Sequence, residues 1–75
     1  MSAFERLLAI ASGTGEVLSL AREIIGKEKL AVLLAKSALI DTNETLSATK
    51  VAEVLGMSRN VAAHAVANAT IRNAA

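Results

Sequence analysis

Cysteine and proline are absent from this chain, and histidine and the aromatic residues occur once each, as His64 and Phe4. Without cysteine, no disulfide and no thiolate metal site can form, and a single histidine excludes a zinc site built on imidazoles. The 75 residues make one small domain, and a domain of this size has little core with which to stabilise itself. The remaining means of stabilisation is a partner chain, which here we expect to be a second copy.

The residues needed for catalysis are also missing. No nucleophile and base stand at motif spacing, no glycine-rich loop could hold a phosphate, and no group of acidic or histidine residues suggests a metal. The GTG of residues 13–15 is too short for a phosphate and is better explained as a helix junction. We therefore expect no enzyme, no cofactor and no small-molecule substrate.

No uncharged apolar run approaches the ~18 residues of a membrane span. The longest, LAVLLA, lies between Lys29 and Lys36. Glu5 and Arg6 stand where a signal peptide would carry a purely basic segment. The absence of cysteine is typical of a reducing compartment. These observations predict a cytoplasmic protein without a membrane partner.

Alanine, leucine, glutamate and lysine dominate, and no segment alternates with period two, so the predicted fold is all-α with five short helices. Ser2 and Glu5 have the spacing of a capping box, and Gly13 ends the first helix. Thr14 is the predicted cap of the second helix, which Gly26 ends. The expected apolar stripe of this second helix consists of Val17, Leu20, Ala21, Ile24 and Ile25.

The third helix, KEKLAVLLAKSALI, is apolar around most of its circumference. Such a helix is buried on several sides, either at the centre of the domain or against a second chain. The hydrophobic fraction of 53% and the mean hydropathy of +0.48 also favour self-association. Within a single domain of residues 1–75, residues 1–40 form a body and dimer surface. The predicted oligomer interface consists of Leu30, Leu33, Leu34 and Ile40.

Residues 41–45, DTNET, form a turn-prone joint. Beyond it we expect a fourth helix over residues 48–55, a turn at Gly56, and a fifth helix from Arg59 to about Arg72. The net charge changes at the joint, from −1 over residues 1–44 to +2 over the remainder. By contrast, the short charge run of residues 27–29 is interpreted as a solvated first turn.

The stretch AEVLGMSRN predicts two helices that meet at a tight corner. Ala52 is small enough for close crossing, Gly56 suits a left-handed turn, Met57 fills the inside of the corner, and Ser58 caps the second helix. ATKVAEVLGMSRN resembles the helix-turn-helix of Fis-type and Cro-type DNA-binding proteins over about residues 47–67. The matching residues are Ala52, Leu55, Gly56, Met57, Ser58 and Arg59.

This resemblance implies a helix-turn-helix over residues 47–73 whose second helix enters the major groove of double-stranded DNA. Helical spacing turns Ala62, Ala65, Val66 and Ala69 towards the core, and Arg59, Asn60, Ala63, His64 and Ala67 outward. The predicted DNA contacts are Lys50, Ser58, Arg59, Asn60, Ala63 and His64.

The chain departs from the family at two points. Ala62 stands where a branched apolar residue is usual, which favours a rotated or more tightly packed second helix. No basic residue follows Arg59 before Arg72, so a single copy should bind DNA weakly.

The simplest interpretation of AEVLGMSRN is a purely structural corner. For the protein as a whole, two functions are predicted. The first is a small DNA-binding regulator or architectural protein that acts as a homodimer. The alternative is a structural assembly protein, such as a helical subunit of a virion, a filament or a larger complex. The regulator is the preferred hypothesis, and the apolar excess, the alanine-rich last helix and the sparse basic charge support the alternative.

Overall fold

The fold is a succession of five helices joined by short connections, and no strand occurs in the part of the chain that the structure describes. That structure, a computed structural model, describes residues 2–74 apart from the side chains of residues 71–74. For these residues, the prediction of an all-α fold of five helices is confirmed. The helices are α1 (Ala3–Ser12), α2 (Glu16–Ile25), α3 (Lys27–Thr42), α4 (Ala48–Leu55) and α5 (Arg59–Ala74).

Helix α1 begins as the sequence predicts. The hydroxyl oxygen of Ser2 accepts a hydrogen bond from the Glu5 backbone N–H at 3.2 Å, and this satisfies one of the N–H groups that the first turn leaves unpaired. At the far end, the N–H of Gly13 donates to the carbonyl of Ala9 at 2.8 Å.

None of the helices between residues 2 and 74 is both long enough and apolar enough to cross a bilayer.

The predicted cap of α2 is wrong. Gly15, not Thr14, is the N-cap residue, and no side chain caps this helix. The reason lies in the backbone, because the chain enters α2 with a φ of +105° at Gly15, a conformation that favours glycine over threonine. Gly26 ends α2 as predicted, with its N–H donating to the carbonyl of Arg22 at 2.8 Å.

Helix α3 lies at the centre of the domain and contacts each of the other four helices. Its sequence explains this position, since a helix that is apolar on most sides can bury a wide face. Leu30 and Leu34 of α3 and Val51 of α4 are the largest fully buried side chains. The connection after α3 is shorter than predicted, because the helix continues to Thr42 and Asn43 ends it in a left-handed conformation.

The most extensive contact in the domain joins α3 to α5. Both helices present alanine at helical spacing, and small side chains let two helix axes approach closely. The predicted body and the C-terminal helix pair therefore share one core, with α5 packed on both α3 and α4. The buried alanines of these two helices are Ala31, Ala35 and Ala38 of α3 and Ala62, Ala65 and Ala69 of α5.

The burial of α3 corrects the predicted oligomer interface. Leu30 and Leu34 are 0% and 1% exposed because the chain's own helices cover them. These two residues are core positions and offer no surface to another copy. Leu33 and Ile40, which lie outside the buried arc of α3, are 36% and 72% exposed and remain accessible.

Helix α2 turns only part of its apolar surface inward. Ala21 and Ile25 of the predicted stripe are half-buried, whereas Val17, Leu20 and Ile24 are 81%, 57% and 77% exposed. The apolar arc of α2 is wider than the surface that α1 and α3 can cover. The result is a row of three large apolar side chains in solvent, and single exposed apolar residues are common whereas such rows are not.

Arg22 fastens α2 to the end of α1. Its Nη1 donates to the carbonyls of Ile10 and Gly13 at 2.7 and 2.6 Å, and its Nη2 donates to the Ser19 hydroxyl at 3.2 Å. The two carbonyls belong to the end of α1, where helices leave acceptors unpaired. The half-buried guanidinium of Arg22 thus donates hydrogen bonds to backbone carbonyls at the C-terminal end of α1.

We expect Arg22→Ala to lower the free energy of unfolding by about 1.5 kcal/mol, the low end for hydrogen bonds from a charged donor, because the side chain is partly solvated. Urea denaturation followed by circular dichroism measures the change. Arg6→Ala, which truncates an exposed arginine of α1, is the matched control and should change stability by less than ~0.5 kcal/mol. Equal effects of the two substitutions would contradict the fastening role.

Candidate nucleic-acid interface

The first helix of the corner, α4, is held against the core by two side chains. Val51 and Leu55 are 0% and 4% exposed, one turn apart on the inner face. Ser47 caps the helix, its hydroxyl oxygen accepting from the Lys50 N–H at 3.1 Å. Lys50 itself is exposed, on the face of α4 that points away from the core.

The turn forms as the sequence predicts. Gly56 has φ +64° and ψ +46°, the left-handed conformation in which glycine avoids the steric cost of a side chain. Both Gly56 and Met57 donate their N–H groups to the carbonyl of Ala52, the latter at 3.1 Å. Met57 is half-buried and packs against the core cluster, which fills the inside of the corner.

Ser58 begins the second helix of the corner. Its hydroxyl oxygen accepts a hydrogen bond from the Val61 N–H at 3.2 Å, and its carbonyl accepts one from the Ala62 N–H at 3.0 Å. Ser58 and the two residues after it are exposed. The first turn of α5, which carries the positive end of the helix dipole, therefore points into solvent.

The two sides of α5 divide as the helical spacing predicts. Ala62, Ala65 and Ala69 are buried, and Val66 is half-buried against the core. Ala62 is fully buried, so α5 packs tightly at the position where the resembling families carry a larger residue. The outward side consists of Arg59, Asn60, Ala63, His64 and Ala67, all exposed.

His64 lies towards one edge of this outward side. It lines an open cleft of about 290 Å³ between α3 and α5. The cleft combines an imidazole, a carboxylate, an ammonium and an amide over an apolar floor. Its lining residues are Glu28, Lys29, Val32, Val61, His64, Ala65 and Asn68. Of the predicted DNA contacts, His64 is the one that lines this cleft.

The fold brings Lys27 and Lys29 close to the corner and to α5. The sequence predicts both residues as part of a solvated first turn. The Nζ of Lys27 donates to the carbonyl of Gly56 at 3.4 Å, directly at the corner. Lys29 faces His64 across the cleft. Both are exposed, as expected, but their proximity to α5 depends on the α3–α5 packing and has no local signal in the sequence. The side chain of Arg72, the next basic residue of α5 after Arg59, lies outside the described residues.

The chain matches no protein-family model, no curated protein and no solved structure. The resemblance to Fis-type and Cro-type proteins stays a prediction made from residues 47–67. The exposed side chains around the corner therefore provide the chemistry from which a function can be inferred.

Proposed function

We propose that the protein is a small helix-turn-helix DNA-binding regulator or architectural protein that acts as a homodimer on double-stranded DNA. The observation that carries the proposal is the exposed first turn of α5. It follows a left-handed glycine, is capped by Ser58, and presents Arg59 and Asn60 to solvent. Recognition helices contact base edges with the residues of such a first turn.

The exposed side chains suit the edges of base pairs in the major groove. Arginine can donate two hydrogen bonds to guanine, asparagine can bind adenine through its amide, and an alanine methyl can contact the methyl group of thymine. Arg59, Asn60 and Ala63 supply these three chemistries from one side of α5. The small side chains of Ala63 and Ala67 allow the helix backbone to approach the groove closely.

Contacts with phosphate groups are assigned to the surrounding residues. Lys50 on α4 and the hydroxyl of Ser58 flank the first turn of α5, while His64 lies at its α3 edge. Lys27 and Lys29 add positive charge near the corner, although Glu28 lies between them in sequence. Because so few cations displace few counterions from the DNA phosphates, one copy should bind DNA weakly. Weak binding by one copy favours a dimer on paired half-sites.

Arg59→Ala tests the reading of bases. We expect it to lower the affinity for a selected DNA site by about 1–3 kcal/mol and to relax preference at one base pair. The site would first be selected from a random duplex library with wild-type protein, and affinity measured by fluorescence anisotropy. Because Arg59 is exposed, stability should stay within ~0.5 kcal/mol of wild type.

Lys50→Ala should act differently, since it contacts only the DNA backbone in this proposal. We expect weaker binding to all sequences alike and a reduction of about one in the slope of log affinity against log salt. Arg6→Ala, which removes an exposed cation from α1, is the matched control and should leave both quantities unchanged. Wild-type protein without salt-dependent DNA affinity at low ionic strength would contradict the proposed function.

The exposed apolar side chains of α2 and α3 favour a second candidate, a structural assembly protein such as a subunit of a virion, filament or larger complex. Such a subunit needs contacts that continue from copy to copy, whereas a regulator needs contacts that close. Light scattering over a range of protein concentrations distinguishes the two. A mass that stops at twice the protomer supports the regulator, and a mass that keeps rising supports the assembly subunit.

A further inference from the structure

The outward face of α2 combines apolar and acidic side chains. Val17, Leu20 and Ile24 are exposed at i, i+3 and i+7, so they form one row. Glu16 and Glu23, also exposed, follow one edge of that row, seven residues or ~10.5 Å apart. We call these five residues the acidic face.

The outward side of α3 has the same construction with the opposite charge. Leu33 and Ile40 are exposed seven residues apart. Lys29 and Lys36, exposed and half-buried respectively, follow one edge at the same seven-residue spacing. We call these four residues the basic face. Their spacing of ~10.5 Å along the helix axis equals that of the two glutamates.

The charged edges lie on corresponding sides of the two rows. At 100° per residue, the charged edge precedes the apolar row in the same rotational sense on α2 and on α3. When two such helices are packed side by side, an antiparallel arrangement brings charged edge to charged edge and apolar row to apolar row. A parallel arrangement would instead place the charges of each helix against the apolar row of the other.

We propose that the acidic face of one copy binds the basic face of another copy, with α2 and α3 antiparallel. This contact names the surface for the self-association on which the proposed function rests, but it does not require DNA binding. It also replaces the predicted contacts at Leu30 and Leu34, because both side chains are buried in the core of their own chain. Two reciprocal contacts of this kind close a dimer.

The occupant is a second copy because the complementary face is present on the chain itself. The chain exposes 4836 Å², and a standard interface buries roughly 800 Å² per partner, about a sixth of that surface. The charge pairs at the edge fix the register and exclude like-charged pairings.

A charge exchange tests the contact, with sedimentation equilibrium in the absence of DNA as the readout. The variant Glu16→Lys/Glu23→Lys makes the acidic face basic, and Lys29→Glu/Lys36→Glu makes the basic face acidic. Each variant alone should self-associate at least about tenfold more weakly than wild type, because like charges then meet. An equimolar mixture should recover association, and a chain with all four substitutions should self-associate again.

Of the four substituted residues, three are exposed and Lys36 is half-buried, so circular dichroism should show that the variants fold. The substitution Ile24→Ser disrupts the acidic face without a change of charge. Wild-type protein that is monomeric at every concentration tested would overturn the proposal. Association that the charge reversals leave unchanged would also overturn it. The same holds if the variant Glu16→Lys/Glu23→Lys binds wild type more tightly than wild type binds itself, because that result indicates a contact between two copies of α2. Binding to neutral lipid vesicles that the apolar substitution abolishes, without self-association, would assign the row to a lipid surface instead. Because Lys29 lies beside both surfaces, the DNA affinity of wild-type protein, measured separately by anisotropy, shows whether the proposed function fails independently.

Discussion

Leu34→Ala is expected to lower the free energy of unfolding by about 2–5 kcal/mol, the largest loss of any substitution considered for this protein. Leu34 is 1% exposed and lies in the core cluster at the centre of α3. The substitution removes buried methyl and methylene groups and leaves a cavity that the neighbouring helices can only partly fill. Urea and thermal denaturation followed by circular dichroism measure the loss.

The consequence for the whole domain should be severe. Domains have a stability of roughly 0.05–0.15 kcal/mol per residue, so a 75-residue domain has little to lose. In a domain of this size each kcal/mol lowers the melting temperature by about 4–8 °C. Ile40→Ala on the same helix is the matched control, because Ile40 is 72% exposed and its truncation in dilute monomer should cost under ~0.5 kcal/mol. Similar losses for Leu34 and Ile40 would contradict the burial of α3.

Features that one or two turns of chain determine could be predicted from the sequence. Ser2 and Ser47 cap helices, and Gly26 ends one, because a hydroxyl or a glycine acts on backbone groups within four residues. The corner at Gly56 belongs to the same class. At Gly15 the local signal misled, since both threonine and glycine can begin a helix and the backbone path from α1 decided between them.

Features that depend on which helices meet could not be predicted. The spacing on α2 identifies an apolar arc but not which flank of it the neighbouring helices cover, and Val17 and Ile24 proved to be on the open flank. Likewise, helix α3 could be central or lie against a partner. The buried alanines of α3 and α5 resolved this choice for Leu30 and Leu34, because they bring α5 onto α3.

The candidate site divides in the same way. Helical periodicity was sufficient to predict that Arg59, Asn60 and Ala63 share the outward side of α5. The positions of Lys27 beside Gly56 and of Lys29 beside His64 join residues roughly thirty positions apart, and require the folded core. The sparse positive charge that the sequence shows around α5 is therefore supplemented by the start of α3.

Gly56→Val is the second substitution with a large expected effect, and we expect it to lower the free energy of unfolding by about 1–3 kcal/mol. At φ +64° a β-branched residue is a conformational outlier, and strained backbone of this kind costs about 1–3 kcal/mol per residue. The cost should come from the backbone and not from crowding. A Cβ at this position would meet only the Nζ of Lys27, at 3.9 Å.

Because the space around Gly56 is open, substitutions there should rank by backbone preference and not by size. Asparagine is larger than alanine but tolerates the left-handed region, so Gly56→Asn should cost less than Gly56→Ala, and Gly56→Val should cost most. Chemical denaturation of the three variants gives the order. If the cost instead followed side-chain volume, steric contact at the corner would be the cause and the left-handed turn would have no energetic role. If the order holds, the variant Gly56→Asn preserves the corner, and its DNA affinity should remain close to wild type. Gly56→Val should lose DNA affinity along with stability, because the direction in which α5 presents Arg59 depends on that turn.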